Sequence, residues 1–165
     1  ILTATALTYF QSMIDRAVIL AILLPMIISN GGNSGSQTAT LIVRAMALGE
    51  VTLADWWTIV SREIIIGALL GLMLGTLGFL RIVVWAWFDG TYTENTLLIG
   101  VVVFLSLIGI VIAGTASGSI LPLFMKRLGF DPAASSAPFV ATFSDVIGTI
   151  IYFTIASLLL AGVLL

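Results

Sequence analysis

One carboxylate in this sequence has no obvious partner of opposite charge. Asp145 follows Ala133 by twelve positions, ~18 Å along a helix at ~1.5 Å per residue, and a long apolar run follows it. Pro138, Ala141, Asp145, Gly148 and Tyr152 share one helical face by their spacing of three and four. No Lys or Arg stands at comparable depth except Arg81. An ionisable group deep in a bilayer costs at least ~2.5–3.5 kcal/mol. A carboxylate retained there marks an ion or proton path. A second stripe holds Pro25, Ser29, Asn33, Ser36, Gln37 and Thr40, with Gly31, Gly32 and Gly35 inside it. Polar groups at such spacing must face protein or water, and the glycines leave backbone open to close approach.

Other chemistries are excluded by residue type. The chain has no Cys and no His, so thiol catalysis, disulfides and Cys/His metal sites are impossible. Thr115-Ala116-Ser117-Gly118 has the outline of a serine motif, but no imidazole exists to take the proton. Ser117 therefore reads as a small packing residue. An aspartyl mechanism needs two deep acids, and Asp145 is the one expected at such depth. The chain is not expected to be an enzyme.

The elements that position these residues follow from composition. Of 165 residues, 60% are hydrophobic and 8% charged, against ~25% charged in a soluble domain. Mean hydropathy is +1.23. This is an all-α membrane protein. Its formal net charge of −2 offers no field for nucleic acid. Residues 1–14 are apolar but too short to span, and no basic leader or cleavage site marks a signal peptide. They read as the end of a partial helix. Full spans are expected at about 17–44, 63–88, 97–125 and 133–164, giving a five-helix bundle in a single domain, 1–165. Arg44, Arg62, Lys126 and Arg127 on one side outnumber Arg16 and Arg81 on the other. That asymmetry puts the former side in the cytoplasm and the C-terminus outside. Trp56 and Trp57 would anchor the inner face, and Trp85, Trp87, Phe88 and Tyr92 the outer. Gly67, Gly71 and Gly75, and Gly114 and Gly118, are small residues four apart, a pattern for helix packing. The second and third spans read as scaffold.

Two blocks carry a family resemblance. Pro25 followed by Gly31-Gly32-Asn33-Ser34-Gly35-Ser36-Gln37-Thr38-Ala39-Thr40-Leu41-Ile42-Val43-Arg44 resembles the signature helix of the MgtE magnesium channels. Asp131-Pro132-Ala133, Pro138-Phe139-Val140-Ala141-Thr142, Ser144-Asp145-Val146 and Ile151-Tyr152-Phe153 are similar to the last transmembrane helix of that family. The resemblance covers essentially the whole chain as a pore domain. It implies a homodimer with its pore on the two-fold axis, lined by these two helices. Gly31, Gly32, Asn33, Gly35, Ser36, Thr40, Pro138, Thr142 and Gly148 would line it. The resemblance further implies Asp145 as the selectivity acid, the Ala141 carbonyl beside the ion, and Asp131 in a second, regulatory magnesium site completed by cytosolic gating domains. Ala137 and Ser36 stand where some members carry Asn.

Elementary chemistry agrees. In an isologous dimer each residue recurs across the axis, so one Asp145 becomes two. Two carboxylates facing one space share a proton or hold a cation. Oxygen-only ligands suit a hard ion, and Mg2+ keeps its waters. The expectation is a pore conducting hydrated Mg2+ across the inner (plasma) membrane of a bacterium. The alternative is a proton-coupled secondary transporter of a cation or small solute, titrating Asp145.

Overall fold

The computed structural model describes residues 2–88 and 95–162. Tyr92, expected as an outer anchor, and the C-terminal residues 163–165, expected outside, lie beyond the described residues. The described residues form helices with no strand: α1 (Leu2–Tyr9), α2 (Gln11–Arg16), α3 (Val18–Ala47), a 3-10 turn (Leu53–Asp55), α4 (Trp56–Phe88), α5 (Thr96–Arg127) and α6 (Pro132–Leu160). Four helices are long and apolar enough to cross a membrane, α3 to α6. The expected partial helix is two short ones, interrupted at Phe10, and neither spans. Phe10 stacks on Phe153 of α6 at 4.9 Å between ring centroids, which fixes this segment to the bundle's flank.

The expected second span begins seven residues earlier, at Trp56, so Arg62 lies inside the helix rather than just before it. A local cap sets the start. The Thr52 amide donates to Asp55 Oδ2 at 2.9 Å, and the Thr52 hydroxyl donates to the same oxygen at 2.7 Å. This satisfies groups that a bare helix end leaves open. The turns on this side are short for a related reason. Gly49 (φ 73°) and Gly129 (φ 82°) take the left-handed conformation. Glu50 N then reaches Ala45 O at 3.0 Å, and Phe130 N reaches Met125 O at 3.0 Å, closing α3 and α5. Asp131 caps α6 by accepting from Ala133 N at 2.9 Å, with Pro132 in the first helical position.

Helix α5 is the centre of the bundle. It packs against α3, α4 and α6, and its buried residues run its whole length, from Thr96 to Leu123. The glycine ladders make this possible. A Cβ on Gly71 would come within 2.8 Å of Ile108 Cα, and one on Gly75 within 2.8 Å of Phe104 O. Such backbone approach supplies dispersion contact where lipid gives no hydrophobic drive between helices. Leu20, Ile27, Leu107, Ile110, Tyr152 and Phe153 fill the core at one end, and Ile42, Met46 and Leu123 a smaller one at the other.

Candidate functional site

Helix α3 has two unlike faces, because its central turn, Gly31-Gly32-Asn33-Ser34-Gly35, puts small or polar residues in every direction. Gly31 and Gly35 turn toward α5. The Gly31 carbonyl sits where a Cβ on Gly114 would be, and the Gly35 carbonyl does the same at Gly118. A Cβ on Gly35 would itself lie 2.7 Å from Gly114 O and 2.8 Å from Val140 Cγ1. Gly148 on α6 likewise faces Ile110 of α5. These three glycines, expected to line a pore, are buried between helices; their small size serves packing.

The opposite face is open. Ser29, Asn33, Gln37 and Thr40 are exposed, and Ser36 and Gly32 are half-buried. Local bonds hold their polar groups: Asn33 Nδ2 donates to Ser29 Oγ at 3.3 Å, and Thr40 Oγ1 donates to Ser36 O at 2.9 Å. Ser36, Gln37, Thr40 and Leu41 line a shallow hollow on this surface. Beside it α6 runs antiparallel and presents Pro138 and Thr142, both exposed, with Thr142 Oγ1 donating to Pro138 O at 3.0 Å.

Asp145 stands where the two helices meet. It is half-buried, and a methyl added at Gly32 would touch its Oδ1 at 3.6 Å. The glycine leaves room for the carboxylate to lie against the α3 backbone, at the edge of the open face. Thr149 Oγ1 donates to the Asp145 carbonyl at 2.8 Å, and Ala141 lies half-buried one turn before. Among the described residues no three of His, Cys, Asp and Glu gather into a metal cage. Arg81 sits in a separate cleft with its Cζ 5.2 Å from the Trp85 ring centroid. Asp131 is an exposed cap, fourteen residues before Asp145 and so ~21 Å away along α6. The structure brings Gly32, Asn33, Thr142, Ala141 and Asp145 to one region and leaves Asp131 at the end of the bundle.

The shared face predicted for α6 turns as the helix proceeds. Pro138 is open, Asp145 partly covered and Tyr152 fully buried. The Tyr152 hydroxyl donates to Leu20 O at 3.1 Å, tying α6 to the first turn of α3.

Sequence reasoning missed a second acid inside a membrane helix. Because α4 starts at Trp56, Glu63 lies two turns within it. Its Oε2 accepts from the buried Thr38 hydroxyl of α3 at 3.1 Å, and its carbonyl accepts from Thr115 Oγ1 of α5 at 3.1 Å. The signal was present in Thr52-Leu53-Ala54-Asp55, a capping pattern ahead of an apolar run. It places the helix start before Arg62 and Glu63.

Comparison with known proteins gives the family of the chain. The sequence pattern of MgtE, described as a divalent cation transporter, matches residues 24–155. The chain is similar to the magnesium transporter MgtE of Thermus thermophilus, 42% identical over 161 residues, which cover 98% of this chain and 34% of that protein. The magnesium transporter MgtE of Enterococcus faecalis is 31% identical, covering 94% of the chain and 33% of the relative. That of Bacillus subtilis is 28% identical, covering 95% and 33%. The chain thus spans about a third of the length of the curated relatives it matches. With four apolar helices long enough to span and a pattern match through both polar helices, the chain is a transmembrane domain of the MgtE family of divalent cation transporters.

Proposed function

We propose that this domain conducts Mg2+ through a pore made by two copies, with the open faces of α3 and α6 turned toward the two-fold axis. The observation that carries the reading is Asp145 set against Gly32 at the edge of the polar stripe. A lone carboxylate at that depth is costly unless a cation or water meets it. Two copies supply two carboxylates, together with the Ala141 carbonyls and the hydroxyls of Thr40 and Thr142. That donor set suits a hydrated hard cation, because Mg2+ releases water reluctantly. The relatives named magnesium transporters support the choice of ion. Asp131, at the end where α5 turns into α6, belongs to a regulatory site that cytosolic gating domains complete. This end faces the cytoplasm in the proposed orientation.

The test is Mg2+ flux into proteoliposomes with and without an imposed pH gradient. Wild-type flux follows the Mg2+ gradient in both conditions, and Asp145→Asn lowers it by at least about tenfold, the scale of one lost charge-assisted contact. The variant should melt within ~1 kcal/mol of wild type, because Asn keeps the volume of Asp. Wild-type flux in Asp145→Asn would overturn the proposal; flux that appears only with a proton gradient would assign Asp145 to proton coupling instead.

A further inference from the structure

A cleft of about 560 Å3 lies between α3, α4 and α5, at the end of the bundle where α4 finishes and α5 starts. Its walls include Ile19, Ile22 and Met26 from α3, Ile82 from α4 and Ile99 from α5. Ile22 and Trp85 at its margin are exposed, 66% and 59%, so it opens on the perimeter of the chain. Among the described residues Arg81 is the single charged one lining it, with Asn95 and Thr96 at the α5 end.

Arg81 lies seven residues before the end of α4, ~10 Å inside it. Its guanidinium lies over Trp85, one turn nearer that end. A long cationic side chain rooted among apolar residues and leaning toward the helix end is the geometry of snorkelling. Its charge still needs an anion, since an unmatched cation within a membrane helix is expensive. No carboxylate lines the cleft among the described residues. A guanidinium presents a planar fork that fits phosphate oxygens two at a time. A free phosphate would satisfy that fork but leave the isoleucine and methionine walls uncovered. A second copy of the chain could cover the walls, yet the open stripe of α3 offers amides and hydroxyls and no acid. A molecule with an anionic head and an apolar tail meets both demands. The volume falls within the ~300–1,000 Å3 of small-ligand sites.

We propose that this cleft holds one anionic phospholipid, its phosphodiester on Arg81 and an acyl chain along Ile22 and Met26. Its occupancy does not rest on the role proposed for Asp145.

Native mass spectrometry tests the site on protein taken from phosphatidylcholine nanodiscs doped with phosphatidylglycerol. Wild type should retain one phosphatidylglycerol per chain in preference to phosphatidylcholine. Arg81→Gln should retain about tenfold less, the scale expected of a charge-assisted contact. Arg81→Lys should recover part of the loss. Ile22→Trp, which fills the cleft and leaves Arg81 in place, should lose the lipid too, and so carries the test if Arg81→Gln does not fold. Equal retention in all variants would show annular lipid only and overturn the proposal. Inorganic phosphate displacing the lipid at equal concentration would overturn it in favour of a simple anion site. A crosslink between cysteines introduced at Ile22 in two copies, formed in lipid-saturated protein, would assign the cleft to the partner chain.

Discussion

The two sides of α3 use the same residue types to opposite ends. Toward α5, Gly31 and Gly35 meet Gly114 and Gly118, and backbone lies against backbone with no room for a methyl. Toward α6 and the open face, Gly32 leaves a gap that, among the described residues, only the Asp145 carboxylate approaches, at ordinary contact distance. The first side is a joint and the second a lining. A glycine in a membrane helix therefore has no meaning by itself; what faces it across the gap decides whether it holds the bundle or shapes a path.

The contrast can be broken from both sides. Gly35→Leu should have the largest effect. The added side chain meets Gly114 O and Val140 at once, and overpacking of this kind destabilises by about 1–3 kcal/mol, more where backbone blocks relaxation. Thermal melting in detergent should show a large loss or no folded protein. A fold stable to Gly35→Leu would mean that α3 and α5 are not in contact as described. Gly32→Leu is the matched experiment on the lining. Flux should fall about tenfold as the side chain enters the space before Asp145, with stability changed by less than ~1 kcal/mol because nothing else lies nearby. Stability lost in proportion to flux would erase the distinction between the two faces.

Smaller effects sharpen it. Thr38→Val removes the donor to Glu63 while keeping volume, and should cost about 1–2 kcal/mol because a half-buried carboxylate loses its partner. Adding Glu63→Gln should give a non-additive double-mutant cycle; strict additivity would show that the two side chains do not interact. Leu77→Ile, on the exposed face of α4, should change neither melting nor flux beyond ~0.5 kcal/mol.

What could be read from the sequence follows the same division. The ladders of α4 and α5 were legible because each glycine row has one direction: Gly67, Gly71 and Gly75 recur on one face with bulky residues between them. Asp145 was legible because its charge is costly anywhere but beside water, an ion or a partner. The facing of Gly31 against Gly32 was not. Small residues surround that turn of α3, so periodicity selects no direction, and only α5 across the gap decides. Tyr152 shared a predicted face with Asp145, yet the α6 crossing carries it into the core and onto Leu20 O. Crossing angles come from packing between helices, and one helix's spacing does not contain them. The start of α4 was written in its cap; reading charge and hydropathy alone put it at Glu63.

The paired notches between α3 and α5 have a mechanical consequence. Two carbonyls seat in two hollows four residues apart, ~6 Å along the helix. A helix seated this way cannot creep along its neighbour, since each carbonyl would have to climb over the side chains between the hollows. It can jump by about one turn, a step known between packed helices, or it can rock. Rocking makes the Gly31–Gly35 segment a fulcrum and the two ends of α3 the arms of a lever. Asp145, resting beside Gly32, then lies at the pivot. Were the ends of the helix to swing, the backbone beside the carboxylate would move least.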